Sequence, residues 1–542
     1  MKIQNNIFSP DSASPAVKRE PVPLAKERVQ GLSGRPRKKK RRMLTFLNIT
    51  AGVALIFALV RVAAIASPTN DQFDVEIGGQ QSITIDLRQS TPVSPYLLGV
   101  NAFPKVDTNS MDQSFSGFMN YTQPILSGLS DAHIKLVRFP GGNWGENHTL
   151  SFEQLDSFSA MLNKLNAAGM IQARLSAPQV GNDTNLQARV NLAGSWVDYM
   201  NNPKSSLRKN VHAPFHPVKF WTVGNEPDRL INPATGKLYT VAQYTADFIQ
   251  FSKIMHQNDP SIKVFGPEIS QFDGLGAGPR DATGQLWMEG FLKGISDYEK
   301  ANHVTLLDGI SFHRYPFFDA RHTPDLLLSS PSEWDYLMPA LHQLAQQTLL
   351  REIPIAVTEI NTNPEAEVPT RGQAALWWAD TLGRLMSQQA DYVAFFSVEG
   401  VEHPYPLFTN NGLQPTPMFR VMQLYAKLQA RLIPISMQRD PISMYATQNQ
   451  SHNTVSLLFV NKSSTNQLIQ IKGPDQLLHL SPWHNQDISL AGNSVLVITL
   501  HRDGGAEADS YLVPTTTTPA VGQINHVTCG AKTDLLIAAI PC

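Results

Sequence analysis

The stretch Val218-Lys219-Phe220-Trp221-Thr222-Val223-Gly224-Asn225-Glu226-Pro227-Asp228 joins a short β-prone run to an abrupt stop. Aromatic and β-branched residues favour an extended strand, and Gly, Asn and Pro end it. The same unit recurs along the chain. Tyr96–Val100, Ile134–Phe139, Ile171–Leu175, Val264–Gly266, Leu307–Phe312, Ile355–Thr358 and Tyr392–Ser397 are comparable runs, which makes eight expected strands. Helix-like stretches separate them, among them Phe152–Ala168, Ala242–Gln257, Asp325–Arg351 and Arg371–Gln389. Strands alternating with helices predict βαβ units and a parallel sheet. Eight units over 91–430 fit an α/β fold of the (β/α)8 barrel type. A doubly wound open sheet is the alternative, but no Gly-rich dinucleotide fingerprint follows an early strand.

Outside that region the pattern changes. Residues 431–502 hold short strand-like runs, Ile435–Ala446, Thr454–Val460, Gln467–Ile471, Leu477–Leu480 and Ser494–Leu500, joined by Asn, Ser and Gly. They predict a C-terminal β-sandwich. Within 72–90, Ile83, Ile85 and Leu87 share one face of a strand that precedes the barrel and is expected to join the sandwich. Residues 503–542 read as a tail with Cys529 and Cys542, the two cysteines of the chain, which either bridge or stay as thiols.

The formal charge of −1 averages unlike parts. Residues 1–42 are Pro-, Ser- and Lys/Arg-rich, carry +9, and read as a disordered basic segment. Residues 43–66 are apolar and interrupted by a single charge, Arg61. At 1.5 Å per residue they are long enough to cross a hydrocarbon core of about 30 Å. Seven of the eight residues before them are basic, which predicts a cytoplasmic N-terminus and an exported body. The basic run therefore serves orientation and not nucleic-acid binding. The alternative is a cleaved signal peptide, with Ala64-Ile65-Ala66 as the cleavage site and a secreted product. The body, 68–542, is left with −11. Apolar content of 42% excludes a disordered chain, and two cysteines exclude a disulfide scaffold.

Chemistry in such a barrel sits at the C-terminal ends of the strands. Strand four ends at Glu226, and strand seven, Ile355-Ala356-Val357-Thr358, ends at Glu359. The two are 133 residues apart, or three βα units of about 44. Paired carboxylates across a pocket suit glycoside cleavage: one protonates the leaving oxygen, the other attacks the anomeric carbon or activates water. Either glutamate alone is as readily read as a helix cap or an Arg partner.

More of the chain carries a resemblance. Trp221-Thr222-Val223-Gly224-Asn225-Glu226-Pro227 resembles the G-N-E-P signature of the clan A retaining glycoside hydrolases. Arg138-Phe139-Pro140-Gly141-Gly142-Asn143 resembles the strand-two turn of α-L-arabinofuranosidases and their relatives. Ser311-Phe312-His313-Arg314-Tyr315 resembles their strand-six motif, Gly99-Val100-Asn101 their first strand, and Met418–Leu428 their last barrel helix. The similarity covers about residues 75–502 and is nearest to the group of α-L-arabinofuranosidases, β-xylosidases and heparanase-like β-glucuronidases. It implies Glu226 as acid/base, Glu359 as nucleophile, Asn225 on the sugar 2-hydroxyl, Arg138 bracing the nucleophile, and Asn101, His313 and Tyr315 in the pocket. Tyr315 is expected to donate a hydrogen bond to Glu359. Oligo- or polysaccharides of plant or microbial type are the implied substrates, cleaved as by an arabinofuranosidase or xylosidase. The net acidity of the body makes polyanionic glycans less favoured.

Some positions depart from that pattern or stay open. Ile360-Asn361-Thr362-Asn363-Pro364 after the second glutamate matches no single subfamily, and strand eight ends Ser397-Val398-Glu399-Gly400. Glu399 either binds a sugar hydroxyl or caps a helix. Trp144 either stacks on a sugar or packs. Glu268, after strand five, reads as structural or substrate-binding. Pro214 and Pro217 forbid the helix that would make His212 and His216 a metal pair. No cofactor and no metal are implied. A transglycosidase with the same glutamates and a non-catalytic, anchored glycan-binding barrel are the rival functions.

Overall fold

The structure is a computed structural model. It describes residues 71–529 except position 80 and segments 106–117, 177–184, 318–322, 363–368, 402–403, 410–411, 436–439, 474–484, 503–504 and 515–520. The expected basic segment, the expected membrane span, the run Leu477–Leu480 and Cys542 lie outside the described residues. Among the described residues no helix is long and apolar enough to cross a membrane.

All eight expected barrel strands form. They are Tyr96–Asn101, Leu136–Phe139, Ala168–Ala173, Phe220–Val223, Lys263–Ile269, Gly309–Arg314, Ile355–Ile360 and Tyr392–Phe395, here strands one to eight. They close in chain order into a parallel barrel, with strand eight paired to strand one through Ala394 and Gly99. Each strand is covered by helices outside and by the barrel core inside. This double burial explains why the runs are continuously apolar rather than alternating.

The strand beginnings and ends differ in chemistry. Tyr96, Phe220, Phe265 and Tyr392 interlock across the lower interior, with Tyr96 and Tyr392 stacked at 5.1 Å and Phe220 edge-on to Tyr96 at 5.3 Å. This aromatic floor plugs one end of the barrel. Space for it depends on Gly309, where an added Cβ would lie 2.0 Å from a Phe265 ring carbon. At the other end the strands carry Asn101, Arg138, Glu268, His313 and Glu359, all buried.

The helices begin where side chains satisfy their free N–H groups. Ser151 with Gln154, Thr240 with Gln243, and Thr370 with Gln373 form reciprocal capping boxes at Phe152–Leu165, Val241–Asn258 and Arg371–Ser387. The stretch Asp325–Arg351, expected as one helix, is divided into Pro324–Ser329, a 3-10 turn Ser330–Glu333, and Trp334–Leu349. Pro331 lies at the break, where its missing N–H and its ring oppose a continuous helix.

Among the described residues, antiparallel strands build a two-stranded ribbon, Ile231–Asn232 with Lys237–Leu238, and two larger sheets. One has four strands, ordered Ile488–Leu490, Gln467–Lys472, Gln72–Ile77 and Gln81–Asp86. The other has seven, ordered Asn525–Cys529, Ala506–Leu512, Ser494–His501, Thr454–Asn461, Ile442–Gln448, Arg431–Ile433 and Thr91–Pro92. Phe73, Val75, Ile85, Leu457, Phe459, Ile469, Ile471 and Ile498 pack in one core between them. The region read as a tail contributes two strands of the larger sheet, Ala506–Leu512 and Asn525–Cys529. On its other face that sheet packs Tyr445, Leu458, Val460 and Val497 into the barrel's core. Tyr445 donates to Asp380 of helix Arg371–Ser387 at 2.5 Å, and Lys462 pairs with the same carboxylate.

Gly309→Ala is expected to lower stability by about 1–3 kcal/mol, the usual cost of overpacking. Pairing it with Phe265→Leu should recover part of the loss. Thermal and denaturant unfolding of the two variants checks both outcomes.

Candidate active site

Arg138 lies next to the end of strand two, Leu136–Phe139, and is fully buried. Its guanidinium reaches five side chains. Nη1 donates to Asn101 Oδ1 and to Glu359 Oε1, both at 2.8 Å. Nη2 donates to Glu268 Oε2 at 2.7 Å, Asn225 Oδ1 at 2.9 Å and Gln172 Oε1 at 3.4 Å. Burial opposes the charge of Arg138, but the Glu268 and Glu359 carboxylates outweigh it and raise its pKa further. One cation therefore ties together strands one, two, three, five and seven and the turn after strand four.

The backbone aims these side chains by leaving regular strand geometry. Pairing shifts register between Pro267 and Ile269, between Phe312 and His313, and between Val357 and Ile360. Each irregularity falls at a site residue, as bulges do where a side chain must be redirected. Glu226 and Glu268 both have left-handed backbone, at φ 47° and 60°. This is unusual for a residue with a side chain and persists only where its surroundings enforce it. The Glu226 N–H donates to the Glu268 carbonyl at 2.8 Å, coupling the two turns.

His313 stands between three carboxylates. Nδ1 lies 3.0 Å from Glu226 Oε1 and 3.4 Å from Glu359 Oε2, and Nε2 lies 3.5 Å from Glu268 Oε2. Burial works against its proton, but Glu359, Glu226 and Glu268 together push its pKa up to about 10. His313 is thus an imidazolium at neutral pH, donating from both nitrogens. Burial acts to raise the pKa of Glu226, and His313 reverses this and lowers it. Tyr315 donates to Glu359 Oε2 at 2.9 Å.

Exposure separates the three glutamates. The side chain of Glu226 is 12% exposed and that of Glu359 5%, whereas Glu268 is sealed at 0%. Carboxylate oxygens of Glu226 and Glu359 lie within 4.8 Å of each other. A reagent entering the barrel mouth meets these two and not the third.

Gly142 shapes the same spot. Its φ is +53°, and an added Cβ would lie 3.3 Å from Glu359 Oε1 and 3.2 Å from the Phe396 ring. The close approach here is to the glutamate itself. Asn225 Nδ2 donates to Asn143 Oδ1 at 3.2 Å, so the strand-two turn and the strand-four turn are joined.

Two candidates are engaged elsewhere. Trp144 is buried, stacked on His148 at 4.5 Å and edge-on to Phe118 at 5.8 Å, which makes it a packing residue. Glu399 accepts from the Asn120 N–H at 2.6 Å and its Nδ2 at 3.1 Å and so holds a loop. Asn101 acts as a strut, donating to the carbonyls of Thr358 and Ala394 at 2.9 and 3.0 Å.

Gln172 and Glu146 were not singled out in the sequence. Gln172 accepts from Arg138 and donates to Glu146 Oε1 at 3.0 Å. Glu146 accepts from the Ser176 N–H at 2.7 Å and so fastens the end of strand three to the strand-two turn. The sequence signal is weak: Gln172 lies near the end of strand three and Glu146 in the short helix Gly142–Asn147 after strand two, places that polar residues commonly take.

A profile of Glycoside hydrolase family 44 matches residues 156–317. This segment carries strands three to six. Among solved structures, an α-L-arabinofuranosidase from Thermotoga maritima aligns at 14% identity and TM-score 0.55, over 82% of this chain and 94% of that one. The GH51 arabinofuranosidase of Xanthomonas axonopodis pv. citri aligns at 14% and 0.52, over 73% and 86%. A Paenibacillus polymyxa xyloglucanase of GH family 44 aligns at 13% and 0.50, over 70% and 87%. No curated protein matches by sequence. The fold shared with these structures is a (β/α)8 barrel accompanied by antiparallel sheets.

The raised pKa of His313 has a stability consequence with a defined sign. Its contribution is fully present below the ordinary value of 6.5 and is lost as pH rises towards about 10. Melting temperature is expected to fall across that window in the wild type. A shallower fall in His313→Gln, measured by thermal unfolding at a series of pH values, checks the assignment.

Proposed function

We propose that this barrel is a retaining O-glycosidase with Glu359 as nucleophile and Glu226 as acid/base. The observation that carries the reading is the approach of the two carboxylates within 4.8 Å at the mouth. Retaining enzymes hold their carboxyl groups about 5–5.5 Å apart, and inverting enzymes about 6.5–9.5 Å apart to admit a water. In the first step a Glu359 oxygen bonds to the anomeric carbon while the bond to the leaving oxygen breaks. That oxygen takes the proton of Glu226. In the second, Glu226 takes a proton from water, the water oxygen bonds to the anomeric carbon, and Glu359 leaves as carboxylate. Arg138 and Tyr315 hold Glu359 from opposite oxygens, which orients it for attack. A bound sugar would further desolvate Glu226, which raises its pKa in the direction the first step needs.

Neutral arabinofuranosides and xylosides in oligo- or polysaccharides are the substrates we favour, on the acidity of the body, −11 over residues 68–542. Structural neighbours include both furanosidases and a xyloglucanase, so aryl arabinofuranosides, xylosides and cello-oligosaccharides form the panel. On the responsive glycoside, Glu226→Ala is expected to lower kcat about 10²–10⁴-fold. Glu359→Ala should abolish turnover, and the first-formed sugar should keep its anomeric configuration by NMR. A double variant as active as wild type, or an inverted product, would contradict the reading.

We also propose that residues 43–66 anchor the chain with residues 68–542 outside the cytoplasm. The apolar length and the basic flank support this. The full chain is expected in the membrane fraction, with its body cut by protease added to intact cells. A body found protected and soluble would contradict it.

A further inference from the structure

Beyond the two glutamates that reach the mouth lies a third carboxylate with no access to it. Glu268 has no exposed side-chain surface, so it meets no substrate. Yet its contacts are those of the machinery. Oε2 accepts from Arg138 Nη2 at 2.7 Å and faces His313 Nε2 at 3.5 Å, and Oε1 accepts from the Thr358 hydroxyl at 2.8 Å. Its backbone takes a left-handed conformation at φ 60° and holds the Glu226 N–H through its carbonyl.

A charge count shows what this carboxylate does. The cluster holds two cations, Arg138 and His313, and three carboxyl groups, Glu226, Glu268 and Glu359. With Glu359 and Glu268 ionised, the two cations are balanced when Glu226 carries its proton. That is the state in which glycoside cleavage begins. Without Glu268 the same state would hold an uncompensated positive charge in a buried site, which disfavours the proton on Glu226 or on His313.

We infer that Glu268 is a positioning residue that, through His313 and Arg138, sets the protonation of the Glu226–Glu359 pair. This rests on the glycosidase reading above. The other titratable groups around the cluster are Tyr315 on Glu359, Arg229 and Asp228 beside Glu226, and Tyr244 on the helix behind strand five. Tyr244 is neutral and bonded to the Val223 carbonyl at 2.8 Å. Asp228 accepts from the Ser270 N–H at 2.9 Å. Burial pushes the pKa of Glu268 upward, but Arg138 and His313 bring it down to about 2, so Glu268 is charged throughout the working range.

The test compares full-length wild type, Glu268→Gln and Glu268→Asp by two readouts. One is the NMR titration of the His313 imidazole, identified by its loss in His313→Gln. The other is the pH profile of kcat/KM on the best glycoside. Losing one negative charge lets the cluster release its protons at lower pH. In Glu268→Gln the His313 midpoint and the descending limb are both expected to fall by about one unit or more. Glu268→Asp, which keeps the charge, should stay closer to wild type in both. Should Glu268→Gln fail to fold, Glu268→Asp carries the test, with a smaller downward shift in both readouts expected from its displaced charge. A His313 titration that does not move, or a limb that stays in place while the titration moves, overturns the inference. A wild type with no turnover on any glycoside sinks the underlying reading instead, and the titration remains readable without it.

Discussion

The site depends on burying one guanidinium among the ends of the barrel strands. Arg138 is fully buried, where an unpaired charge would cost several kcal/mol. It is tolerated because Glu268 and Glu359 supply opposite charge and Asn101, Asn225 and Gln172 accept further bonds from its two terminal nitrogens, with only Nε left without a partner. These partners come from distant parts of the sequence, so the pairing forms only once the barrel is closed. The same bond that satisfies the arginine fixes Glu359 Oε1. Stability and the orientation of Glu359 thus rest on one contact.

The rest of the barrel makes this arrangement possible. The aromatic floor of Tyr96, Phe220, Phe265 and Tyr392 fills the opposite end, so the polar end faces no competing apolar demand. Bulges at Glu268, His313 and Glu359 turn side chains that a regular strand would aim elsewhere. His313 then shares one proton-bearing ring among three carboxylates. Like charges that would otherwise repel are held together, and oxygens of two of them, Glu226 and Glu359, are brought within 4.8 Å of each other.

Much of this is legible in the residues. The barrel strands are visible because burial on both faces leaves continuous apolar runs, and the glycines and prolines that stop them are local. Glu226 and Glu359 are visible because each ends such a run at a countable spacing. Glu268 is harder to see: its position is set by a left-handed turn and a bulge, which depend on its hydrogen bonds to other strands. Trp144 and Glu399 stay open in the sequence for the same reason, since their contacts with Phe118 and Asn120 join residues brought together only by the fold. The strand Ala506–Leu512, read as tail, has the sequence Ala-Glu-Ala-Asp-Ser-Tyr-Leu. Its small inward residues give little apolar signal, and its burial comes from the neighbouring strands.

The central claim is that Glu359 forms a covalent bond to the sugar while Glu226 manages the proton. The most direct measurement is mass spectrometry of the protein after incubation with an activated 2-fluoro glycoside of the responsive sugar, followed by peptide mapping. The account predicts one glycosyl adduct, carried by the Glu359 peptide and lost in Glu359→Gln. An adduct on another residue, or none from a glycoside that the protein demonstrably cleaves, would contradict it.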